Sequence, residues 1–406
     1  MILMMQYIQV VCFTSEKNNL INEMKKILFT LYKNKCHSLY KQFISVPPSG
    51  YQYFTLDDFT DEFIFSESEN IFVEIFNKIK RNFVIINIAK KNNIDIIYCT
   101  SGMLLFNSPI PWVIEFESVV SFIIHKLEYW KIARKILPIM LRQDNLKSLI
   151  PWTEAAARSL LSNIKESKEI SNKITPIHLC LAKIGDQKKK ENDKIFKILF
   201  VTTVNDNAVD KQFYVKGGRI LIEILKKLKD EVNIKFIIRS KLPKEYEYVK
   251  HYSNVVIYED LLPKNDFDKI FSEADIFLFP CYQSPGLVFL DAMSFGLPIL
   301  TTNIFANAEM VIDGYNGFLV DFPIASSVNY LDKELGIKNL QTGRKAGNDN
   351  ISNEMVDIFC KKILLLYNDI DLKNEMSKKS RELLESKFTI EKRNEKLKKI
   401  FDNIVL

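Results

Sequence analysis

Residues 280–320 hold the side chains and glycines whose order best suits the binding of a phosphate. An apolar strand predicted over residues 276–279 ends in a Pro/Gly break, and an amphipathic helix is predicted to begin at about Leu287. In an α/β sheet, a strand that ends in a glycine turn before a helix directs backbone N–H groups and the helix dipole at the sheet edge. The N–H groups of Gly286 and Leu287 are therefore candidate phosphate ligands.

The same stretch continues with a predicted strand at 299–302, an acidic helix start around Glu309 and a tight turn at 313–317. Of the twelve glycines, nine fall between positions 217 and 347. Glycine is used where the backbone must turn with positive φ or approach a ligand closely. The second half of the chain is therefore predicted to hold a phosphate-bearing ligand.

The elements that must position this site alternate between strands and helices. In the second half, the apolar pattern predicts strands at 198–202, 234–238 and 255–258, and helices at 219–228 and 267–274. The chain is predicted to be almost entirely helical after residue 353, ending in an amphipathic helix at 390–404.

The first half shows the same alternation. Its predicted strands are 7–14, 42–46, 94–98, 112–116 and 149–152, and its predicted helices are 18–32, 69–91 and 119–137. Repeated βα units favour parallel sheets covered on both faces, so the fold class is α/β with two doubly wound domains. A charged stretch at 183–194 interrupts the pattern. We therefore predict a domain at 1–185, a linker at 186–196, a second domain at 197–375 and C-terminal helices at 376–406.

Length and composition agree with a globular protein of two domains. A chain of 406 residues is too long for one compact core, and 47% apolar with 26% charged residues is ordinary for globular proteins. No apolar run approaches the roughly 20 residues of a membrane-spanning helix. The N-terminal segment is predicted to be a strand and not a signal peptide.

Cysteines and histidines are too scattered to indicate a metal site. The six cysteines form no CxxC pair, and no two of the four histidines have ligand spacing. Disulfides and zinc are disfavoured, and a reducing cytoplasm fits best. Three interpretations of the net charge of +6 stay open: a solvated lysine-rich face, attraction to an anionic membrane surface and attraction to an anionic substrate. Nucleic acid is disfavoured because no compact basic cluster with interleaved aromatic residues occurs.

Several short motifs follow one another in a fixed order in the second half. They are Lys216-Gly217, Gln283-Ser284, Gly286-Leu287, Asp291, Phe-Gly-Leu-Pro-Ile at 295–299, Glu309 and Asp-Gly-Tyr-Asn-Gly at 313–317. In this order they resemble the retaining GT-B glycosyltransferases of family 4 (glycosyl transferases group 1), most strongly over about 197–320. The segment 388–394 also resembles the closing helix of that family, which crosses back onto the first domain.

The resemblance implies a GT-B architecture, in which two Rossmann-like domains face each other across a cleft. It also implies a reaction that moves a sugar from a nucleotide-diphosphate sugar to an acceptor. The acceptor expected from the family is a glycan or a lipid-linked molecule. No metal and no cofactor beyond the nucleotide sugar are expected. The location expected is cytoplasmic, with contact at the inner face of the membrane as one option.

The resemblance also implies a role for each motif residue. Lys216, next to Gly217, would stabilise charge on the leaving phosphate, together with the N–H groups of Gly286 and Leu287. Asp291 would accept hydrogen bonds from both ribose hydroxyls. Gln283 would face the donor sugar as a catalytic residue, and Ser284 and Glu309 would complete the donor-binding set.

The motifs depart from the family pattern at several positions. Gln283 and Asp291 stand where two glutamates are usual, Thr202-Thr203 replaces Gly-Arg, and Phe305-Ala306 replaces paired glycines. Arg239, at the end of the next predicted strand, is a candidate for the missing cation. The departures keep two alternatives open, namely a catalytically degenerate binding protein and a nucleotide-sugar epimerase on the same fold.

In the first half, residues 111–117 (PWVIEFE) resemble the strand end that meets donor or acceptor in this family. Glu117 is the catalytic candidate and Glu115 the alternate. Two acids one residue apart on a strand share a face, so Phe116 is expected in the core. Ordinary solvent-facing polarity would explain both acids equally well.

Overall fold

The structure is a computed structural model that describes residues 24–64, 71–123, 130–164, 168–181, 185, 195–204, 209–231, 233–282, 286–321 and 352–405. Within these residues the chain forms two separate, entirely parallel β-sheets. The predicted fold class, α/β with two doubly wound domains, is therefore confirmed.

The first sheet has the strand order β2-β1-β3-β4-β5. Its strands are β1 Lys25–Phe29, β2 Tyr51–Phe54, β3 Ile96–Cys99, β4 Trp112–Phe116 and β5 Leu146–Pro151. The helices described around it are α1 Ser38–Ile44, α2 Ile71–Lys91, α3 Trp130–Leu141, α4 Glu154–Asn163 and α5 Lys168–Ser171. The direction of strand addition reverses between β1 and β3.

The second sheet has the strand order β11-β10-β9-β6-β7-β8, and its reversal lies between β6 and β9. Its strands are β6 Phe196–Val201, β7 Ile234–Arg239, β8 Val255–Tyr258, β9 Ile276–Phe279, β10 Ile299–Thr302 and β11 Gly317–Val320. The helices described around it are α6 Val209–Val215, α7 Gly218–Leu228, α8 Lys264–Glu273, α9 Leu287–Ser294, α10 Asn307–Met310, α11 Asn353–Asn368 and α12 Ile370–Lys387. The chain then ends in α13, Ile390–Val405.

The central strands β4 and β9 are buried along their whole length because both faces of each sheet are covered. All four residues of β9 are buried, as are the five residues of β4, including Glu115. One continuous apolar core surrounds the second sheet, whereas the first sheet has a separate apolar cluster on each face.

The chain crosses between the two halves at two places that lie side by side. The N–H of Leu181 donates to the carbonyl of Phe388 at 3.0 Å, and the N–H of Ile390 donates to the carbonyl of Leu181 at 3.1 Å. After this crossing, α13 packs Leu397 and Phe401 into the core of the first sheet. The last helix of the chain is therefore part of the first half of the fold.

Most predicted elements occur where the pattern placed them. Strands β4, β9 and β10 and the continuous C-terminal helices match their predictions closely. Strand β5 begins three residues earlier than predicted, and α9 begins at the predicted Leu287. The predicted domain and linker boundaries stay a prediction.

Three predictions for the first half are wrong. Residues 25–29 form β1 and not part of a helix at 18–32, because Ile27, Leu28 and Phe29 are consecutively buried inside a sheet. Residues 42–44 lie in helix α1 and not in a strand. Residues 119–123 form a 3₁₀ helix and α3 begins only at Trp130, where one helix was predicted over 119–137. The strand predicted at 7–14 lies outside the described residues.

Candidate active site

The candidate site lies at the carboxyl edge of the second sheet, where strand order reverses between β6 and β9. In open α/β sheets, ligands bind in the crevice at such a reversal. The loop after β6 begins with Thr202, and the loop after β9 begins with Pro280. The residues that line this edge come from the starts of α7 and α9, as the sequence motifs predicted.

Gly217 fixes the loop that carries Lys216. Its φ is +86°, and a Cβ on this residue would lie 2.0 Å from the carbonyl oxygen of Pro280. The N–H of Tyr282 also donates to the carbonyl of Val215 at 2.8 Å. Only glycine allows the loop before α7 to pack this closely against the turn after β9. The backbone thus joins two motifs that are separated by more than sixty residues in the sequence.

Lys216 is a half-buried cation at this junction. Its Nζ lies 5.2 Å from the centre of the Phe279 ring. Burial lowers the pKa of Lys216, and the nearby Cys281 and Glu117 act in the opposite direction. Since Glu117 follows β4 of the first sheet, the charge of this lysine is influenced by both halves of the molecule.

The start of α9 presents unused backbone donors. Gly286 precedes the helix, and a Cβ added there would meet no atom within 4 Å. Among the described residues, no atom accepts a hydrogen bond from the N–H groups of Gly286 and Leu287. The Leu287 side chain packs against the apolar clusters of both halves, so this helix start faces the boundary between them.

Asp291 lies just over one turn into α9 and has an unusual electrostatic environment. Burial raises the pKa of its carboxyl from 3.8 to about 6, with a lowering contribution from Lys264 and a raising contribution from Asp268. Within the part of the chain that the structure describes, its carboxylate makes no hydrogen bond. A half-buried carboxylate without hydrogen-bond donors among the described residues is suited to accept hydrogen bonds from the hydroxyl groups of a ligand.

Arg239 lies at the carboxyl end of β7, beside the loop where the family pattern has an arginine. Its Nη1 donates to the carbonyl of Thr202, while its buried Nε has no hydrogen-bond partner among the described residues. The guanidinium also lies 5.7 Å from the ring centre of Phe267, and burial lowers its pKa. The structure places this cation at the predicted edge; a role in donor binding stays a prediction.

Glu309 joins the two halves of the molecule. Its carboxylate accepts the N–H of Glu154 at 2.8 Å and the N–H of Ala155 at 2.7 Å, both at the N-terminus of α4. His178 Nε2 lies 3.0 Å from the same carboxylate. Burial opposes ionisation of Glu309, but the His178 and backbone hydrogen bonds outweigh it and lower the pKa. The geometry therefore gives Glu309 an interdomain contact, and its predicted role in donor binding stays a prediction.

Glu115 and Glu117 occupy different environments, contrary to the expectation of a shared polar face. Glu115 is completely buried, where its Oε2 accepts from Arg393 at 3.1 Å and from Tyr98 at 2.8 Å. Glu117 is half-buried and lines a narrow pocket between the halves, together with Trp152. Because α13 covers this face of the first sheet, polarity there does not mean solvent contact. The expectation that Phe116 lies in the core is confirmed.

The predicted site residues are thus only partly brought together. Lys216, Gly217, Gly286, Leu287 and Asp291 share the second sheet's carboxyl edge, and Glu117 approaches it from the first domain. Gln283 and Ser284 lie outside the described residues.

Sequence reasoning missed three partners of the predicted residues, namely His178, Arg393 and the N-terminus of α4. All three lie more than 130 residues in sequence from their contacts. His178 and the N-terminus of α4 contact Glu309, and Arg393 contacts Glu115. The only local signal was Thr153, whose side chain caps α4 in a manner typical of helix starts.

The described residues contain no group of three or more His, Cys, Asp or Glu side chains placed to hold a metal ion. In the same part of the chain, no helix is both long enough and apolar enough to cross a membrane.

Residues 197–328 match the family of glycosyl transferases group 1. The matched segment contains the whole second sheet together with Lys216, Gly286, Asp291 and Glu309. The second half therefore carries a glycosyl transferases group 1 domain.

Relatives and solved structures extend this similarity. The chain is 29% identical over 125 residues to the lipopolysaccharide glucosyltransferase WaaG of Escherichia coli K12, which covers 29% of this chain and 33% of WaaG. The chain spans less than half the length of the curated relatives it matches.

Solved structures match almost the whole chain. A glycosyltransferase from Rickettsia africae aligns with a TM-score of 0.59 at 15% identity, covering 94% of this chain and 99% of that one. Anabaena HepE, solved with UDP and glucose, aligns with a TM-score of 0.56 at 13% identity, covering 93% and 99%. At this level of identity the likeness shows the fold, which is that of GT-B glycosyltransferases.

Proposed function

We propose that the protein is a retaining glycosyltransferase that moves a sugar from a nucleotide-diphosphate sugar to a glycan or lipid-linked acceptor without a metal. The donor would bind at the carboxyl edge of the second sheet, and the first domain would hold the acceptor. No cofactor other than the nucleotide sugar would take part.

The observation that carries this proposal is the position of complementary groups around one edge. Lys216 supplies a half-buried cation. Among the described residues, the N–H groups at the start of α9 have no acceptor and the Asp291 carboxylate has no donor. A nucleoside diphosphate offers the matching groups, since its phosphates need donors and cations while its ribose hydroxyls need an acceptor.

The chemical role of these groups follows from the charge that develops during the reaction. Cleavage of a sugar–diphosphate bond leaves negative charge on the departing phosphate, and fixed dipoles and cations stabilise that charge. A bound diphosphate would favour the ammonium form of Lys216, against the effect of burial. Glu117 would lie on the opposite side of the cleft, on the side of the acceptor.

Nucleotide binding is tested by thermal melting of the whole protein with UDP, GDP or ADP at millimolar concentration. Because HepE was solved with UDP, UDP is the first nucleotide to test. We expect one of them to raise Tm. Lys216→Ala should weaken the binding of that nucleotide about 10- to 100-fold, as expected for the loss of a charged hydrogen bond.

Lys229→Ala provides the matched control, because Lys229 is an exposed lysine at the end of α7. It should leave nucleotide binding unchanged. No melting shift with any of the three nucleotides, or an equal loss in both variants, would contradict the proposal.

Retention and independence from metal need separate measurements. NMR of the product should show the same anomeric configuration as the donor sugar, and turnover should persist in EDTA. An inverted product or loss of turnover in EDTA would refute these two parts while leaving donor binding intact.

A further inference from the structure

The outer side of the first domain exposes a group of large apolar side chains. They come from helix α2, from the loop after β3 and from helix α3, and each is between 50% and 66% exposed: Phe76, Phe83, Phe106, Ile132, Ile136 and Ile139. We call this group the outer apolar face. Large exposed apolar patches mark sites that bind a protein, a membrane or a ligand.

Helices α2 and α3 both turn these side chains away from the first sheet. At about 100° per residue, the two phenylalanines of α2 lie opposite Ile85, and the three isoleucines of α3 lie opposite Leu141. Ile85 and Leu141 are completely buried and belong to the same apolar cluster. The two helices therefore cover the same face of the first sheet, and their exposed apolar stripes share its outer side.

The loop that carries Phe106 joins the two stripes. The N–H of Phe106 donates to Asn82 Oδ1 at 3.0 Å, and Asn82 Nδ2 donates to the carbonyl of Phe106 at 3.0 Å. Gln143 Nε2 donates to the carbonyl of Leu105 at 2.9 Å, and the N–H of Asn107 donates to Gln143 Oε1 at 2.8 Å. Asn82 directly precedes the second phenylalanine of α2, and Gln143 lies four residues after the last isoleucine of α3. The loop therefore places Phe106 between the stripes and holds it there.

Cations without partners lie beside the isoleucine stripe. Lys131 and Lys135 are exposed and lie about 100° and 60° around α3 from Ile132. Helix α3 contains no acidic residue, and within the described part of the chain neither lysine has an ion-pair or hydrogen-bond partner. Lys80 of α2, by contrast, pairs with Glu62. Ammonium groups next to an exposed apolar stripe complement an anionic bilayer, where apolar side chains enter the interface and lysines meet the lipid phosphates.

We propose that the outer apolar face binds a membrane surface that contains anionic lipids. A second copy of the chain fits this face less well, because a two-fold interface would gather two sets of the same unpaired lysines around one contact. An anionic bilayer removes the apolar side chains from water and also neutralises the lysines. The inference goes beyond the proposed function and does not depend on it, since no residue of the donor edge takes part.

The first test changes the apolar part of the face. Ile136→Gln with Ile139→Gln removes two of its side chains and keeps a residue that favours helix. Leu365→Gln with Ile370→Gln is the matched control, since it makes the same kind of change at exposed helix positions of the second half. Co-sedimentation of the whole protein measures binding to phosphatidylcholine vesicles with and without phosphatidylglycerol. We expect the face variant to bind the phosphatidylglycerol vesicles about tenfold or more weakly, and the control to bind like the wild type.

The second test removes the charges beside the stripe. Lys131→Gln with Lys135→Gln should weaken binding to the phosphatidylglycerol vesicles about tenfold or more and leave binding to phosphatidylcholine vesicles nearly unchanged. Lys396→Gln with Lys399→Gln is the control, because these exposed lysines lie on α13, which covers the opposite face of the same sheet. Added salt should weaken the wild type towards the level of the lysine variant.

Equal binding by each face variant and its control would overturn the inference, and so would a wild type that binds neither kind of vesicle. Sedimentation velocity without lipid tests the other occupant. A wild-type dimer that Ile136→Gln with Ile139→Gln dissociates would assign the face to a second copy and overturn lipid binding. If this variant melts below its control, Phe76→Gln, at the most exposed side chain of the face, takes its place.

The melting shift with UDP, measured on the same proteins, separates this inference from the proposed function. Each face variant should keep the full shift, because the donor edge is unchanged. If the wild type binds vesicles but shows no shift with any nucleotide, the proposed function fails and the membrane contact stands. A shift without vesicle binding would have the opposite meaning.

Discussion

Charges in the first half and charges at the carboxyl edge of the second sheet differ in how they are paired. In the first half, Glu115 is neutralised by Arg393 of α13, and the N-terminus of α4 is neutralised by Glu309. At the edge of the second sheet, Asp291 has no hydrogen-bond donor among the described residues.

This difference separates charges that hold the fold together from charges that suit a ligand. A charge that is paired within the protein loses stability when its partner is removed. A charge that is buried without a partner costs stability and is retained where it serves binding or chemistry. The comparison predicts opposite signs for substitutions in the two regions.

The largest expected effect is the removal of one partner from the pair that fastens α13. Arg393→Met should lower the free energy of unfolding by about 3–5 kcal/mol, because Glu115 would stay buried without its cation. Denaturant unfolding measures this loss. Lys392→Met on the same helix should change stability by less than about 0.5 kcal/mol. Adding Glu115→Gln to Arg393→Met should recover part of the loss; a further, fully additive loss would contradict the pairing.

The carboxyl edge of the second sheet should depend on Gly217 for its stability, because this residue allows the loop before α7 to pack against the turn after β9. Gly217→Ala should cost about 2–4 kcal/mol, since it combines an unfavourable positive φ with a clash against Pro280. Gly286→Ala should cost less than about 0.5 kcal/mol, because its Cβ would meet no atom. It should nevertheless weaken nucleotide binding, since the methyl group would occupy the approach to the start of α9. Equal melting temperatures for the two variants would refute this assignment.

Removing the unpaired acid should stabilise the protein. The carboxyl of Asp291 has a pKa of about 6 in the fold against an ordinary 3.8, so ionisation costs more in the folded state than in the unfolded state. Asp291→Asn should therefore add up to about 3 kcal/mol above pH 7. The gain should shrink as pH falls through about 6 and vanish below about 4. Unfolding curves across this pH range measure it, and a gain independent of pH would exclude this cause.

The same variant should lose the nucleotide-dependent rise in Tm even though it is more stable. Asp268→Asn serves as the control, because it removes a nearby half-buried acid of α8 that is paired with Lys264. Undiminished stabilisation of Asp291→Asn by nucleotide would argue against a ribose contact.

The smallest expected effect concerns the paired acid between the halves. The pKa of Glu309 is lowered from 4.5, so its contribution is complete above pH 4.5 and is lost as pH falls through the folded value. Glu309→Gln should cost about 1–2 kcal/mol at pH 7, because a neutral amide caps α4 less well. The cost should disappear in acid, as the gain from Asp291→Asn does, so the two substitutions differ in the sign of their effect on stability and both effects are present only at higher pH. Glu154→Gln, an exposed acid in the first turn of α4, should cost less.

The sequence predicted the second half better than the first for a physical reason. Strands such as β9 and β10 are short apolar runs bounded by Gly, Pro and polar residues, so their ends are visible in the pattern. Residues 20–32 instead carry apolar side chains at spacings that a helix also permits. These residues form a strand because Ile27–Phe29 are buried between the apolar clusters on the two faces of the first sheet. That burial depends on tertiary structure and cannot be read from the local pattern.

The candidate site could also be predicted only where its residues depend on local structure. Gly217 and Asp291 could be predicted because their neighbours are fixed by local turns and helix starts. The partners of Glu309 lie more than 130 residues away in the chain, so no spacing indicates them. The burial of Glu115 likewise depends on α13, whose position on the first sheet is set by the end of the chain.

The paired crossings near Leu181 and Thr389 have a mechanical consequence. The two crossing segments are joined to each other by backbone hydrogen bonds at this point, so the covalent and hydrogen-bonded links between the halves coincide. A protease cut in one crossing would leave the halves connected through the other, with α13 still seated on the first sheet. Any change in the angle between the halves would therefore have to pivot near Leu181 and break the contact of Glu309 with the N-terminus of α4.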